Sequence, residues 1–296
     1  MPSRHVSGRI TRAASALTLA LGAGLAAPVL LAGTATAAAP SATAALDGRS
    51  VVYTAASGQT NKPAVTASKA GENITYVIDD VVTISAGSGC TYPSGTDRTK
   101  VSCTVATLES QDPYATLRMS LGDGDDVVTY TNRTDQAYYF ASTDLGAGKD
   151  TLTESGGVQG NGVIGGAGDD TLTVGEVTVA LGGDDNDTIH AADGTIAQGG
   201  AGDDTIYAQG DVDGGTGSDE IHGGAEGQSL TGGDGDDTIH GDAGNDFVYG
   251  GKGNDVLYGD DGDDTIYGNS GDDKLYGGAG TDTLSGGPGK NVVSQD

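Results

Sequence analysis

The sequence predicts an all-β protein: a parallel, two-sided solenoid in the C-terminal part, preceded by a β-rich N-terminal cap. Three observations lead there. The phrase Gly-Gly-x-Gly-x-Asp-x-U-x, with U an aliphatic residue, starts at Gly232, Gly241, Gly250, Gly259, Gly268, Gly277 and Gly286 without a gap, a period of nine. Further copies start at Gly165, Gly182, Gly199 and Gly214, with a spacing nearer seventeen. Finally, 35% hydrophobic and 5% aromatic residues, with no Trp and two Phe, leave little for a thick core.

Residues 1–37 have the layout of a secretory leader. Arg4, Arg9 and Arg12 precede an apolar stretch over 13–32, and Ala35-Thr36-Ala37 supplies a small-residue cleavage site. A transmembrane anchor is the competing reading; the Gly, Ala and Thr content and the absence of flanking charge argue against it. No other segment is long and apolar enough to span a bilayer, so the chain is expected outside the cell, secreted or held at its surface. Residues 38–45 read as an Ala/Thr/Ser linker. Cys90 and Cys103, the two cysteines, are expected to pair in an oxidising compartment, closing a loop with a stabilisation of about 3 kcal/mol.

Over 46–119, short runs at 50–54, 74–78, 81–84 and 101–105 are rich in β-branched residues and separated by Gly, Asn, Asp and Pro. This region is expected to cover the sticky first turn of the repeats, which occupy 120–296.

Within each repeat, glycine permits positive φ over the first six residues and the last three extend as a strand. The eighth residue, such as Ile239, Val248, Leu257, Ile266, Leu275 or Leu284, then points inward. If one turn holds two nonapeptides, loops eighteen residues apart stack, and the spacings near seventeen mean that early turns carry the motif on one side only. Stacked turns lie about 4.8 Å apart. Two carboxylates at that spacing repel by about 0.9 kcal/mol at the dielectric of water and by several at an effective value near 20. With 42 Asp and Glu against 14 Lys and Arg, a net charge of -28 repels nucleic acid and anionic membrane and calls for cations. Calcium suits the gap, because it takes about six to eight oxygens in flexible geometry, whereas magnesium is stricter and keeps its water.

The repeated phrase resembles the RTX, or haemolysin-type, calcium-binding repeat. That resemblance implies a right-handed parallel β-roll with Ca2+ held between consecutive same-side loops. It implies carboxylate ligands at Asp170, Asp187, Asp204, Asp219, Asp237, Asp255 and Asp273 on one edge, and at Asp246, Asp264 and Asp282 on the other. About eight ions follow if each same-side pair holds one. The sequence departs from the pattern at Asp185, which replaces the third Gly, and at Asn291, which replaces the last Asp beside Lys290 and weakens any final site. Asp126 and Asp150 fall in shorter, irregular forms and are not counted as ligands; Asp184 and Glu220 read as solvated charges.

Relatives of this kind include secreted proteases and lipases, yet the sequence has neither H-E-x-x-H nor G-x-S-x-G, and no enzymatic activity is expected. His190, His222 and His240 all stand at the ninth repeat position and are expected on an outer sheet face. Tyr249 with Tyr267, and Tyr258 with Tyr276, share that position at intervals of eighteen and predict aromatic ladders, with a glycan platform as the sharper reading. The expectation is a secreted, monomeric calcium-binding protein that folds on the ion and serves a structural role. The alternative is an adhesin or binding module for a cell-surface glycan, cell-wall or protein partner, and behind it a hydrolase with an unrecognised site.

Overall fold

The computed structural model describes residues 41–107, 114–134, 139–157 and 160–295, so the expected leader and the start of the expected linker lie outside the described residues. The first strand, β1 (Ala42–Asp47), begins inside the stretch 38–45 expected as linker. Its composition is low in strand formers, but Ala42 and Ala44 are buried and Thr43 is exposed, the period of two that places small side chains against a core.

β1 forms a hairpin with β2 (Ser50–Thr54). β3 (Ala64–Ala70) and β4 (Asn73–Asp79) form a second hairpin. After the short β5 (Ile84–Ala86) and β6 (Cys90–Thr91), β7 (Lys100–Ala106) pairs antiparallel with both β4 and β6. Cys90 and Cys103 are directly opposite on β6 and β7 and form a disulfide, S–S 2.00 Å.

From β8 (Tyr114–Ser120) the chain alternates between two sheets. β8 and β10 (Tyr139–Ala147) lie in one; β9 (Val127–Arg133) and β11 (Thr151–Gly156) lie in the other. Each later strand pairs parallel with the strand one turn on, giving sheets of 13 and 14 strands among the described residues. The chain is an all-β protein whose C-terminal part is a parallel β-solenoid. No helix among the described residues is long and apolar enough to cross a membrane.

Register records the turn length directly. Leu172 pairs with Ile189 and Ile189 with Ile206, turns of seventeen; Ile206 pairs with Ile221, a turn of fifteen; Ile221, Ile239, Leu257 and Leu275 then follow at eighteen. The early turns carry the Gly-rich loop on one edge and a short turn on the other, as the spacing predicts.

Two expectations about the chain path need correction. Six residues of each repeat were expected in the loop, but strands such as Phe247–Lys252 run through the next repeat's first three residues, with Gly233 paired to Gly251 and Asp234 to Lys252. Only the fourth to sixth residues turn. The second glycine bends the strand without breaking its ladder, for example Gly251 at φ 119°. The winding also begins inside the region assigned to the cap: β2 pairs parallel with β8 and β3 pairs parallel with β9, so β2, its following loop and β3 form a turn ahead of the first repeat.

The core between the sheets is one aliphatic deep. Ile239, Val248, Leu257, Ile266 and Leu275 are fully buried, while Leu284 in the last turn is partly buried. In the one-sided turns Ala180 and Ala197 take the corresponding places.

Candidate metal centre

The stacking of loops aligns the sixth-position side chains into columns. On the first edge, Asp170, Asp187, Asp204, Asp219, Asp237, Asp255 and Asp273 are buried at successive turns. Each uses Oδ1 to accept the backbone N–H of the residue one turn earlier: Asp170 N to Asp187 Oδ1 is 2.8 Å, Asp219 N to Asp237 Oδ1 2.9 Å and Asp255 N to Asp273 Oδ1 3.1 Å. On the second edge, Asp246 N donates to Asp264 Oδ1 at 2.9 Å and Asp264 N to Asp282 Oδ1 at 3.0 Å. The ten predicted positions therefore fall into two columns, as assigned.

The sequence reading missed three members. Asp126 and Asp150, set aside as irregular, are fully buried and extend the first column: Asp126 N donates to Asp150 Oδ1 at 2.7 Å, and Asp150 N to Asp170 Oδ1 at 2.8 Å. Their turns depart from seventeen or eighteen residues because insertions lengthen the far edge, leaving the loop itself in register. The third is Gln228. Gly223-Gly224-Ala225-Glu226-Gly227-Gln228 is a degenerate repeat, and its start nine residues after Gly214 and nine before Gly232 was the available signal. Gln228 Oε1 accepts Gly224 N at 2.8 Å, Nε2 donates to Ala208 O at 3.2 Å, and Gln228 N donates to Asp246 Oδ1 at 2.8 Å. It stands at the head of the second column with its own polar atoms satisfied.

Asn291, expected to weaken any final site, closes the first column: its Oδ1 accepts Asp273 N at 2.8 Å and its Nδ2 donates to Gly287 O at 2.9 Å. Asp185 adopts φ 74°, a conformation Asp tolerates better than most residues, so the missing glycine is accommodated locally. The fifth position also carries a pattern that was not anticipated. Asp236 Oδ1 accepts Asn254 N at 2.7 Å and Asn254 Oδ1 accepts Asp272 N at 3.0 Å, so this outer row reaches forward while the sixth-position row reaches back.

The second carboxylate oxygens have a different fate. Oδ2 of Asp126, Asp150, Asp170, Asp187, Asp204, Asp219, Asp237, Asp246, Asp255, Asp264, Asp273 and Asp282 is buried without a hydrogen-bond partner. From Asp170 onward each faces the first glycine of its own loop, whereas the loops of Asp126 and Asp150 carry Leu121 and Leu145 at that position. A methyl group on Gly182 would lie 2.3 Å from Asp187 Oδ2 and 2.5 Å from Gly199 O of the next turn; on Gly214 the corresponding distances to Asp219 Oδ2 and Gly232 O are 2.3 and 2.6 Å. Only glycine leaves that space free, and it is bordered by acceptor oxygens with no donor. Among the described residues no three His, Cys, Asp or Glu side chains converge on a point, so a cation here draws on one carboxylate per turn together with carbonyls. Hard oxygen donors of both kinds are what calcium takes.

The electrostatics agree. Burial pushes the carboxyls of Asp187, Asp219 and Asp255 up to about 7 and those of Asp126, Asp170, Asp204 and Asp246 up to about 6; the backbone N–H bond opposes the rise and neighbouring carboxylates add to it. Asp150, Asp237 and Asp264 move upward for the same first cause. Without a positive charge, the columns hold anions poorly.

On the outer face of the second sheet, the ninth-position rings form one continuous stack. His190, Tyr207, His222, His240, Tyr258 and Tyr276 follow with centroid separations of 5.0, 4.9, 5.1, 4.3 and 5.0 Å and interplanar angles of 4–13°. Tyr249 and Tyr267 stack at 5.4 Å on the other sheet. The ring faces are taken up by one another and present edges outward, an arrangement ill suited to the glycan platform considered from sequence, which needs free faces. His222 Nε2 lies 3.2 Å from Glu220 Oε1 and His240 Nδ1 lies 3.0 Å from Asp260 Oδ2.

The family model of the RTX calcium-binding nonapeptide repeat (4 copies) matches residues 179–195, 196–213, 211–226, 227–257 and 258–293. No curated protein matches the chain. The matched span, 179–293, contains the sixth-position aspartates from Asp187 to Asp282, so this part of the chain matches the RTX nonapeptide repeat.

Proposed function

We propose that the chain is an extracellular, non-catalytic calcium-binding protein whose solenoid folds on the ion and then serves as a rigid surface or spacer element. The row of buried, unpartnered Oδ2 atoms carries this reading. A buried polar group without a partner costs about 1–3 kcal/mol, more if charged, and the cost recurs at every turn. A divalent ion between loops removes that cost, with Asp170, Asp187, Asp204, Asp219, Asp237, Asp255 and Asp273 serving the first edge and Asp246, Asp264 and Asp282 the second. Asp126 and Asp150 continue the first column, but Leu121 and Leu145 stand where the other loops have the clearing glycine. Bound calcium supplies the positive charge; the protein supplies the register, the glycine clearance and the backbone hydrogen bonds that fix each Oδ1.

Export, expected from the leader-like layout of residues 1–37, fits the same coupling. Where calcium is scarce the columns repel and the repeats stay open; where it is near millimolar they close. Circular dichroism of the purified protein tests this: coil in chelator converting to β-structure on calcium addition is expected, and identical spectra would refute it.

A further inference from the structure

We propose that the short turns of the second edge frame a groove that binds one residue of a neutral glycan, giving the solenoid a recognition site distinct from its ion columns. The inference goes beyond the calcium reading: it needs the folded solenoid, whichever ion holds the turns together.

The groove exists because the edge changes shape along the solenoid axis. The strands Thr171–Val174, Thr188–Ala191 and Thr205–Ala208 each stop one residue past the ring position, with no Gly-rich loop to follow. The next strand of that sheet, Glu220–Gly224, runs on through two glycines. The step leaves a hollow of about 340 Å³, within the range of small-ligand sites, roughly 300–1,000 Å³. Val174, Ala191 and Ala208 follow one another at successive turns along it, with Gly223 beyond them and Ala192 beside them. These residues are small, which keeps the hollow open.

Three side chains that form hydrogen bonds stand around it: the Thr173 hydroxyl, the His190 imidazole and the Gln209 amide. Among the described residues His190 and Gln209 make no side-chain hydrogen bond, whereas His222 and His240 each lie beside a carboxylate. His190 also ends the ring stack, with Tyr207 on one side and Thr173 in the next place of the ladder. Gln209 is seated against the neighbouring turn: a methyl group on Gly224 would lie 2.7 Å from Gln209 Cγ, so glycine there makes room for the side chain.

Charge selects the class of ligand. No Asp, Glu, Lys or Arg lines the groove, in a chain of net charge -28. The outward residues of the adjoining strands, Thr151, Thr153, Thr171 and Thr188, are neutral as well and carry hydroxyls. Donors and acceptors without charge around small apolar residues match a neutral sugar, whose hydroxyls meet the imidazole, amide and threonine while a C–H face meets the alanines. A uronic acid or sulfated unit would bring negative charge to a molecule that already carries a large excess of it.

The test uses the calcium-loaded full chain, its β-structure checked by circular dichroism. Cellohexaose, mannohexaose and chitohexaose serve as neutral probes and hexagalacturonic acid as the charged control. In carbon–proton correlation NMR spectra at least one neutral probe should shift the Ala192 methyl and His190 ring signals and leave those of His240 in place; the charged control should shift none. Gln209→Ala should weaken that binding about fivefold, the weight of one neutral hydrogen bond. Ala192→Phe, which fills the hollow, should abolish it while calcium stoichiometry stays that of the parent. Silence with every neutral probe, equal binding of the charged control, or parental affinity in both variants overturns the proposal. If Ala192→Phe does not fold, parental affinity in Gln209→Ala, an exposed position, overturns it alone.

Discussion

Asp255→Asn should change stability in opposite directions depending on calcium. Asp255 is fully buried, accepts Asp237 N at 3.0 Å through Oδ1, donates its own N–H to Asp273 Oδ1 and leaves Oδ2 unpartnered. Asparagine keeps Oδ1 and the backbone bonds but removes the charge. In calcium the substitution weakens the intervals on either side of the loop. An interval with a dissociation constant about a hundredfold below the free calcium concentration contributes about 2.7 kcal/mol, so losing one lowers the unfolding free energy by about 3 kcal/mol. In chelator the charge costs more than it returns: burial disfavours it most, repulsion from Asp237 and Asp273 adds about 0.9 kcal/mol each at the dielectric of water across one strand spacing, and the bond from Asp237 N offsets only part. Urea unfolding followed by circular dichroism in about 1 mM calcium reads the first effect, and the β-signal in chelator reads the second. The variant should be less stable than the parent in calcium and at least as structured in chelator. Destabilisation of the same size in both buffers would refute the reasoning, because it would mean that the carboxylate serves packing or hydrogen bonding rather than a metal.

Acid should partly replace calcium. The carboxyls of Asp187, Asp219 and Asp255 rise to about 7 in the fold from the ordinary value of 3.8, so the metal-free fold favours their neutral form. That contribution is complete below about pH 3.8 and is lost as pH rises through 7. A pH series in chelator should show β-structure increasing toward acid, and a flat profile would count against the buried columns. Gln228→Ala should cost about 1–3 kcal/mol equally in calcium and in chelator, since its partners are Gly224 N and Ala208 O; thermal unfolding in both buffers would expose any calcium dependence. Tyr258→Ala removes the stacks on His240 and Tyr276, each worth about 0.5–1.5 kcal/mol, and should lower stability without altering calcium stoichiometry measured by calorimetry. Reducing the Cys90–Cys103 disulfide should destabilise the N-terminal strands by about 3 kcal/mol, visible as faster hydrogen exchange across Lys100–Ala106.

A chemical repeat is legible in sequence because each copy states its own turn. The glycines, the sixth-position acid and the eighth-position aliphatic together define a loop, a ligand and a core residue at fixed offsets, and the change of spacing from seventeen to nine announces where the second edge acquires its loops. The ten aspartates named from that pattern all lie in the two columns, each with a buried Oδ2. Asp126 and Asp150 were discounted because insertions in the distant edge spoiled their spacing, although stacking responds only to the local loop. Gln228 escaped because its repeat keeps the period and changes the chemistry.

What the sequence by itself determined is the identity of the repeating unit: loop geometry, charge and inward aliphatic are properties of nine adjacent residues. What only the tertiary structure decided is adjacency between turns. The union of His190, Tyr207, His222, His240, Tyr258 and Tyr276 into one stack depends on a fifteen-residue turn that stays in register, and the bond from Asn61 N to Asp126 Oδ1 depends on parallel pairing of β3 with β9 across sixty-five residues. Neither is written in any local motif, because a parallel strand takes its register from the strand it lies against and not from its distance along the chain.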